Sequence, residues 1–284
     1  MDQINSIKSY AEQQALQFAE RLSRRLSTIR QPDEFADWLI RYDYFNRGFP
    51  GAALELAGQV AFMDDDFGDI GAEEVSSGII AAITDEFIDR QTMETSLHSS
   101  LRRELVARSL QVLSGNARAN LESAQKPYYS YRRSVLESTR IGYGLVPDES
   151  CDQLRRIMAG IAFFMASETS GAQEFTVLNR CMSRNWPVLV KELAEAEDDT
   201  GRQLYRWVVE HQDLESDHAR FALSAVRSAF KNYSAMGNKS DELVSYIYQG
   251  IDQFFKMADE TLIKPAVIPS VLGDYFALNA KTAA

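Results

Sequence analysis

The chain is poor in the residues that most often carry chemistry. Its 284 residues include three histidines and two cysteines, Cys151 and Cys181. Two cysteines make no disulfide framework, which excludes a small disulfide-stapled scaffold. No run of 18 apolar residues occurs, so no membrane span is expected. Positive charge is also short, with 30 Lys and Arg against 41 Asp and Glu and a net charge of -11. That balance lacks the basic footprint of a nucleic-acid binder and argues equally against docking on anionic membranes. Residues 1–30 are polar and periodic, with no apolar core of a secretory signal, so the cytoplasm is the expected compartment.

Glycine and proline are scarce and clustered, with 15 and 7 residues. Breaks are expected at Gln31-Pro32-Asp33, Phe49-Pro50-Gly51, Asp64–Gly71, Ser114-Gly115-Asn116, Gly144–Ser150, Asn185-Trp186-Pro187 and Met236–Ser240. The segments between them carry helical periodicity and no strand-like alternation. Helices are predicted at 3–29, 34–48, 51–62, 75–88, 94–113, 128–142, 150–180 (broken near Gly171), 188–231 with a break, and 240–263. Hydrophobic content of 45% and aromatic content of 11% suffice for a packed core. The expected fold is all-α, one helical domain over 1–284, with its core at 35–263 and a loose tail at 265–284. The Asp64-Asp65-Asp66 run reads as a solvated loop rather than a cation site.

Two of the three histidines stand in one phrase, His211-Gln212-Asp213-Leu214-Glu215-Ser216-Asp217-His218. As ligands this is His-x3-Glu-x2-His. On a helix the three side chains fall within about 60° of one another, stacked over two turns. Trp207, Val208, Leu214, Phe221 and Ala222 share their arc, whereas Glu210, Asp213, Asp217 and Arg220 lie opposite. The His/Glu/His stripe therefore faces the core, where a charge must be paired or metal-bound. Two imidazoles and a carboxylate on one stripe form most of a first-row transition-metal site.

Further ligands should be buried carboxylates or the third histidine. Glu168 follows Gly160-Ile161-Ala162-Phe163-Phe164-Met165-Ala166, apolar on every face, and a helix there carries its carboxylate into the core beside Ile161, Phe164 and Met165. Without a metal it is expected to be unpaired. Glu174 lies on a more polar arc with Ser167, Ser170 and Gly171 and ranks second. Glu86 shares a stripe with Ile79, Ala82 and Ile83, although Arg90 at i+4 offers it an ordinary ion pair. His98 aligns with Leu101 and Leu105. Glu86 and His98 would lie about 18 Å apart on one straight helix, so they meet only if the chain turns at Asp89–Thr92. Glu94, one turn before His98, is the straight-helix alternative. Trp207 reads as core packing.

These residues resemble a known family. His211–Leu223 is similar to the final core helix of haem-oxygenase-like di-iron oxidases and oxygenases. Asp85–Asp89 followed by Leu97–Leu101 is similar to their earlier Glu…His pair, and Ala162–Glu168 to the helix that supplies a bridging Glu. The resemblance covers roughly residues 35–230. It implies a haem-oxygenase-like helical bundle and the ligand set Glu86, His98, Glu168, His211, Glu215 and His218, with Glu168 as the bridging, catalytic carboxylate. The spacing from Glu86 to His98 is longer than the family's.

The resemblance further implies a non-haem enzyme with two Fe(II) ions and O2 as cofactors, Mn being the competing metal. The expected substrate is a small amino acid or amine, with N-oxygenation, desaturation or C–C cleavage as the outcome, or else a fatty acid. A homodimer and an external reductant are the expected partners. Haem oxygenase proper carries a proximal His on its first helix, and no His precedes His98 here. A ferritin-like di-iron bundle needs two Glu-x2-His motifs, but the residue three before His98 is Thr95. Two alternatives stand beside the oxidase. One is a thiaminase-like hydrolase with a cysteine nucleophile, although Asn179-Arg180-Cys181-Met182 lacks its setting. The other is a metal-free ligand-binding protein whose His/Glu stripe is a polar core network. Arg140, Arg180, Arg184 and Arg220 are the candidate clamps for a substrate carboxylate.

Overall fold

A helix that is apolar on all sides must be enclosed on all sides, and the run from Gly160 to Ala166 dictates the architecture in this way. The computed structural model describes residues 2–88 and 98–265. Along the chain these form α1 (Asp2–Thr28), α2 (Pro32–Arg47), α3 (Phe49–Val60), α4 (Asp64–Phe67), α5 (Asp69–Ile83), α6 (His98–Ser114), α7 (Leu121–Gln125), α8 (Tyr129–Gly142), α9 (Gln153–Asn185), α10 (Pro187–Glu195), α11 (Arg206–Ala235) and α12 (Val244–Ala258). No strand occurs among the described residues, which show only an isolated bridge between Glu197 and Gln203. Nor is any of their helices long and apolar enough to cross a membrane. The all-α expectation holds.

Helix α9 is the axis. Ile161 to Ala166 are all buried, covered by α1, α11 and α12 packed along it. Helix α1 buries Ile7, Ala11, Ala15, Phe18, Leu22 and Leu26, one apolar stripe at helical spacing, against α9 and α12. Helix α5 packs on the outer side of α11 and α3 on α5, while α2 pairs with α6 and α8. The side chain of Asp152 starts α9 by accepting from the Arg155 amide at 2.9 Å. The helix stops at Trp186, and Pro187 opens α10 at a position where its missing N–H costs nothing.

Several predicted boundaries shift. The helix expected at 150–180 runs unbroken through Gly171 to Asn185. The one expected at 75–88 ends at Ile83, after which Thr84–Glu86 tighten into a 3₁₀ turn. The segment 240–263 divides into a 3₁₀ turn, α12 and a terminal π turn over Asp259–Ile263. Carbonyls freed by that turn are taken up by α2, because Arg41 donates to the Thr261 oxygen at 2.6 Å and Trp38 Nε1 to that of Leu262 at 3.1 Å. All but the first residue of the tail expected at 265–284, the turn at Asp89–Thr92 and Glu94 lie outside the described residues.

Candidate metal centre

The inward face of α11 is the one its periodicity predicts. Trp207, Val208, His211, Glu215, His218 and Ala222 are buried, and Asp217 and Arg220 are exposed. One helix along, α9 contributes Glu168, Gly171 and Glu174, and the 3₁₀ turn after α5 contributes Asp85 and Glu86. Between them lies a cavity of about 60 Å³, walled on its apolar side by Phe45, Phe49, Phe175 and Phe254.

Glu168, Glu215 and His218 form a compact donor set, with one ligand atom from each lying within 4.8 Å of the others. His218 Nδ1 is 3.4 Å from Glu168 Oε2 and 3.5 Å from Glu215 Oε2. Its other nitrogen, Nε2, lies 2.9 Å from Asp85 Oδ2. A carboxylate only accepts, so Nε2 carries a proton toward Asp85 and Nδ1 is the nitrogen turned toward the two glutamates. His211 is arranged in the same manner. Its Nδ1 sits 2.7 Å from the Trp207 carbonyl oxygen and so carries the proton, and Nε2 faces Glu86 Oε1 at 3.6 Å. In both rings an outer acceptor orients an inner nitrogen toward carboxylates. This is how metal-bound histidines are held.

The electrostatics ask for a cation. Asp85, Glu86, Glu168, Glu174 and Glu215 gather about two imidazoles. Among the described residues the guanidinium at the cavity is that of Arg102, engaged by the buried Asp43 through Nε at 3.0 Å. Burial pushes the Glu168 carboxyl up to about 7, with Glu215 adding to the rise and His218 opposing it. Burial likewise raises Glu174 to about 8 against the Ser170 hydroxyl, which donates to it. For His218, burial favours the neutral ring, but Asp85, Glu168 and Glu215 outweigh it and hold the imidazole well above its ordinary range. Burial and Glu86 oppose each other at His211 in the same way, and the net shift is upward. Without an ion, a proton on the inner nitrogen plays its part. The donor set therefore fits a first-row divalent cation, and it admits iron and manganese alike.

Of the sequence-derived ligands, the structure brings Glu86, Glu168, His211, Glu215 and His218 to one cavity. Glu86 arrives by a route the periodicity does not give, from a 3₁₀ turn rather than an α-helical stripe. His98 opens α6, but its side chain lies outside the described residues. The expectation that Glu168 is unpaired in a purely apolar setting is corrected, since His218 and the Ser167 hydroxyl stand beside it. Glu174, ranked on a polar arc, is 4% exposed. Asp85 was missed. As the neighbour of Glu86 it points in a different direction, and it reaches the site from behind His218 while Glu86 faces His211.

The proposed arginine clamps lie elsewhere. Arg140 pairs with Glu55 and Arg220 with Asp217, both on the surface, and Arg180 and Arg184 line a separate groove. Among the described residues Arg102 is the arginine at the cavity, and Trp207 lines it as well as packing. Neither cysteine does. Cys181 sits in that separate groove, its thiol pushed up by burial. Comparison of the chain with protein-family models, curated proteins and solved structures finds no match.

Proposed function

We propose that this protein is a metal-dependent enzyme of the O2-activating, non-haem di-iron kind, built on a haem-oxygenase-like bundle and acting on a small substrate. One observation carries the reading. Two buried histidines each commit one ring nitrogen to an acceptor and turn the other toward carboxylates. Without an ion a proton on each inner nitrogen faces those carboxylates, and a metal can replace that proton while the outer acceptors keep the rings in place. In this proposal Glu168, Glu215 and His218 hold one ion. Glu86, His211 and His98 hold the second, His98 being assigned on the resemblance. Bound iron supplies electrons and O2 activation.

The chain's own residues do the rest. Phe45, Phe49, Phe175 and Phe254 keep water from the cavity. Asp85 and the Trp207 carbonyl set the ring planes of the histidines. Glu174, with its carboxyl raised by burial and bonded by Ser170, holds a proton at the wall. A cavity of about 60 Å³ suits a compact amino acid or amine better than an extended acyl chain.

The test is anaerobic loading with Fe(II), measurement of bound iron, and an absorbance record on exposure to O2. Iron should bind, and a transient visible band should follow. His218→Ala should lower bound iron well below wild type. Unchanged iron stoichiometry and unchanged Tm in Fe(II) for that variant would overturn the proposal.

A further inference from the structure

In a chain with 11 more acids than bases, arginines are expected to find partners, and many do. Arg21 pairs with Asp259, Arg102 with Asp43 and Arg202 with Asp198. Along the seam of α1 and α9 the pattern reverses. Two adjoining grooves of about 320 and 420 Å³ share Ser23, Val177 and Arg180. Arg24, Arg30, Arg180 and Arg184 line them and are exposed, and among the described residues none makes an ion pair. The deeper groove holds three of these arginines and no acid. Glu20 is the acid at the other. The dipole at the end of α9 accounts for Arg184 in the last turn. The end of α1 at Thr28 likewise favours Arg30 just beyond it and Arg24 about one turn before, so two helix ends gather these arginines on one seam without supplying a counter-ion.

We propose that this seam binds a phosphate monoester, its phosphate held by Arg30, Arg180 and Arg184 and its organic part lying along Val177 toward Leu16. Guanidinium forks match phosphate oxygens, and Ser23 and Ser27 add hydroxyl donors on the facing helix. Past Arg180 the lining mixes Leu16, Ala19 and Val177 with Gln173, Thr176 and Glu20, and the Glu20 carboxylate there opposes a second anion. The seam is independent of the metal centre, because the two sets of lining residues do not overlap.

Cys181 lies in the deeper groove, half-buried, and reports on its occupancy. With Cys151→Ser in the full chain, Cys181 is the remaining thiol, and its rate of reaction with a disulfide reagent can be followed. Phenyl phosphate should slow that rate several-fold and bind by calorimetry, about tenfold more tightly than inorganic phosphate. Arg180→Gln with Arg184→Gln should weaken phenyl phosphate at least tenfold with at most a small drop in Tm, since both side chains are exposed and only Arg184 serves the end of α9. No binding at millimolar phenyl phosphate, or binding and Cys181 protection unaffected by the double substitution, would overturn the site. Equal affinity for the two probes would overturn the assignment of its organic part.

Discussion

A Cβ on Gly171 would fall on the carboxylate of Glu215. The glycine is a gap in α9 through which a ligand on α11 reaches the cavity, and the helix runs through it without a break. Gly171→Ala should therefore separate folding from metal binding. The side chain met is the flexible end of Glu215, which can turn aside, and alanine favours a helix over glycine by about 1 kcal/mol. Metal-free Tm should stay level or rise. Fe(II) affinity should drop about tenfold or more as Glu215 leaves its place beside His218. Anaerobic titration and a thermal melt read the two effects separately, and wild-type affinity in the variant would remove Glu215 from the ligand set.

Asp85 acts on the centre through His218. Its Oδ2 accepts from Nε2 at 2.9 Å, on the side of the ring away from Glu168 and Glu215. Asp85→Asn keeps the size and removes the charge, and its amide can present a donor where an acceptor is needed. Loss of such outer partners typically lowers metal affinity about 10- to 100-fold. Asp85→Ala should do the same, with a further loss of stability from the buried ring left without its acceptor. Fe(II) affinity and Tm across the pair check this, and an unaltered affinity in both would show that Asp85 merely packs.

Much of this centre was legible because a long, strongly periodic helix carries it. The stripe of His211, Glu215 and His218 follows from spacing alone, and α11 buries that stripe and exposes Asp217 and Arg220. Glu168 was legible for the same reason, embedded in a run apolar on every face. Where the backbone leaves the α-helix, periodicity stops informing. Asp85 and Glu86 are neighbours that a 3₁₀ turn aims at different histidines, His218 and His211. Gly171 misled for a different reason. A glycine in a helical pattern reads as a breaker, and only the partner helix reveals that it serves close approach. Glu174 looked polar by its neighbours Ser170 and Gly171, but these small residues let α11 come near and cover it.

Gly250 makes the opposite case to Gly171. A Cβ there would overlap the Ala159 carbonyl oxygen and come within 3.0 Å of the Ala162 Cβ, both on α9. Neither group has a rotamer to yield, so α12 would have to move off α9. Gly250→Ala should cost roughly 2 kcal/mol despite the better helix propensity, with a lower Tm and unchanged Fe(II) stoichiometry in the folded fraction. A Tm at or above wild type would mean that this helix pair tolerates separation.

The loop between α10 and α11 should make part of the stability pH-dependent. Asp198 Oδ1 accepts from the Thr200 amide at 2.9 Å, its hydroxyl at 2.7 Å and the Arg202 amide at 2.9 Å, and Oδ2 from the Arg202 guanidinium at 2.8 Å. Burial pushes this carboxyl up, but the bonds from Thr200 and Arg202 outweigh it and bring it down from 3.8 to about 2. The folded state thus holds the carboxylate at pH values where the unfolded chain has taken up a proton. Its contribution is complete above the unfolded value of 3.8 and is lost as pH falls toward about 2. Allowing for solvent screening, that contribution is about 1 kcal/mol. Asp198→Asn should be less stable than wild type by a constant margin from about pH 5 to 8, and the margin should narrow below about pH 4. Urea unfolding at pH 7 and pH 3 measures it. A margin that widens on acidification would contradict the assigned network, because a carboxylate held down by donors loses its advantage only in acid.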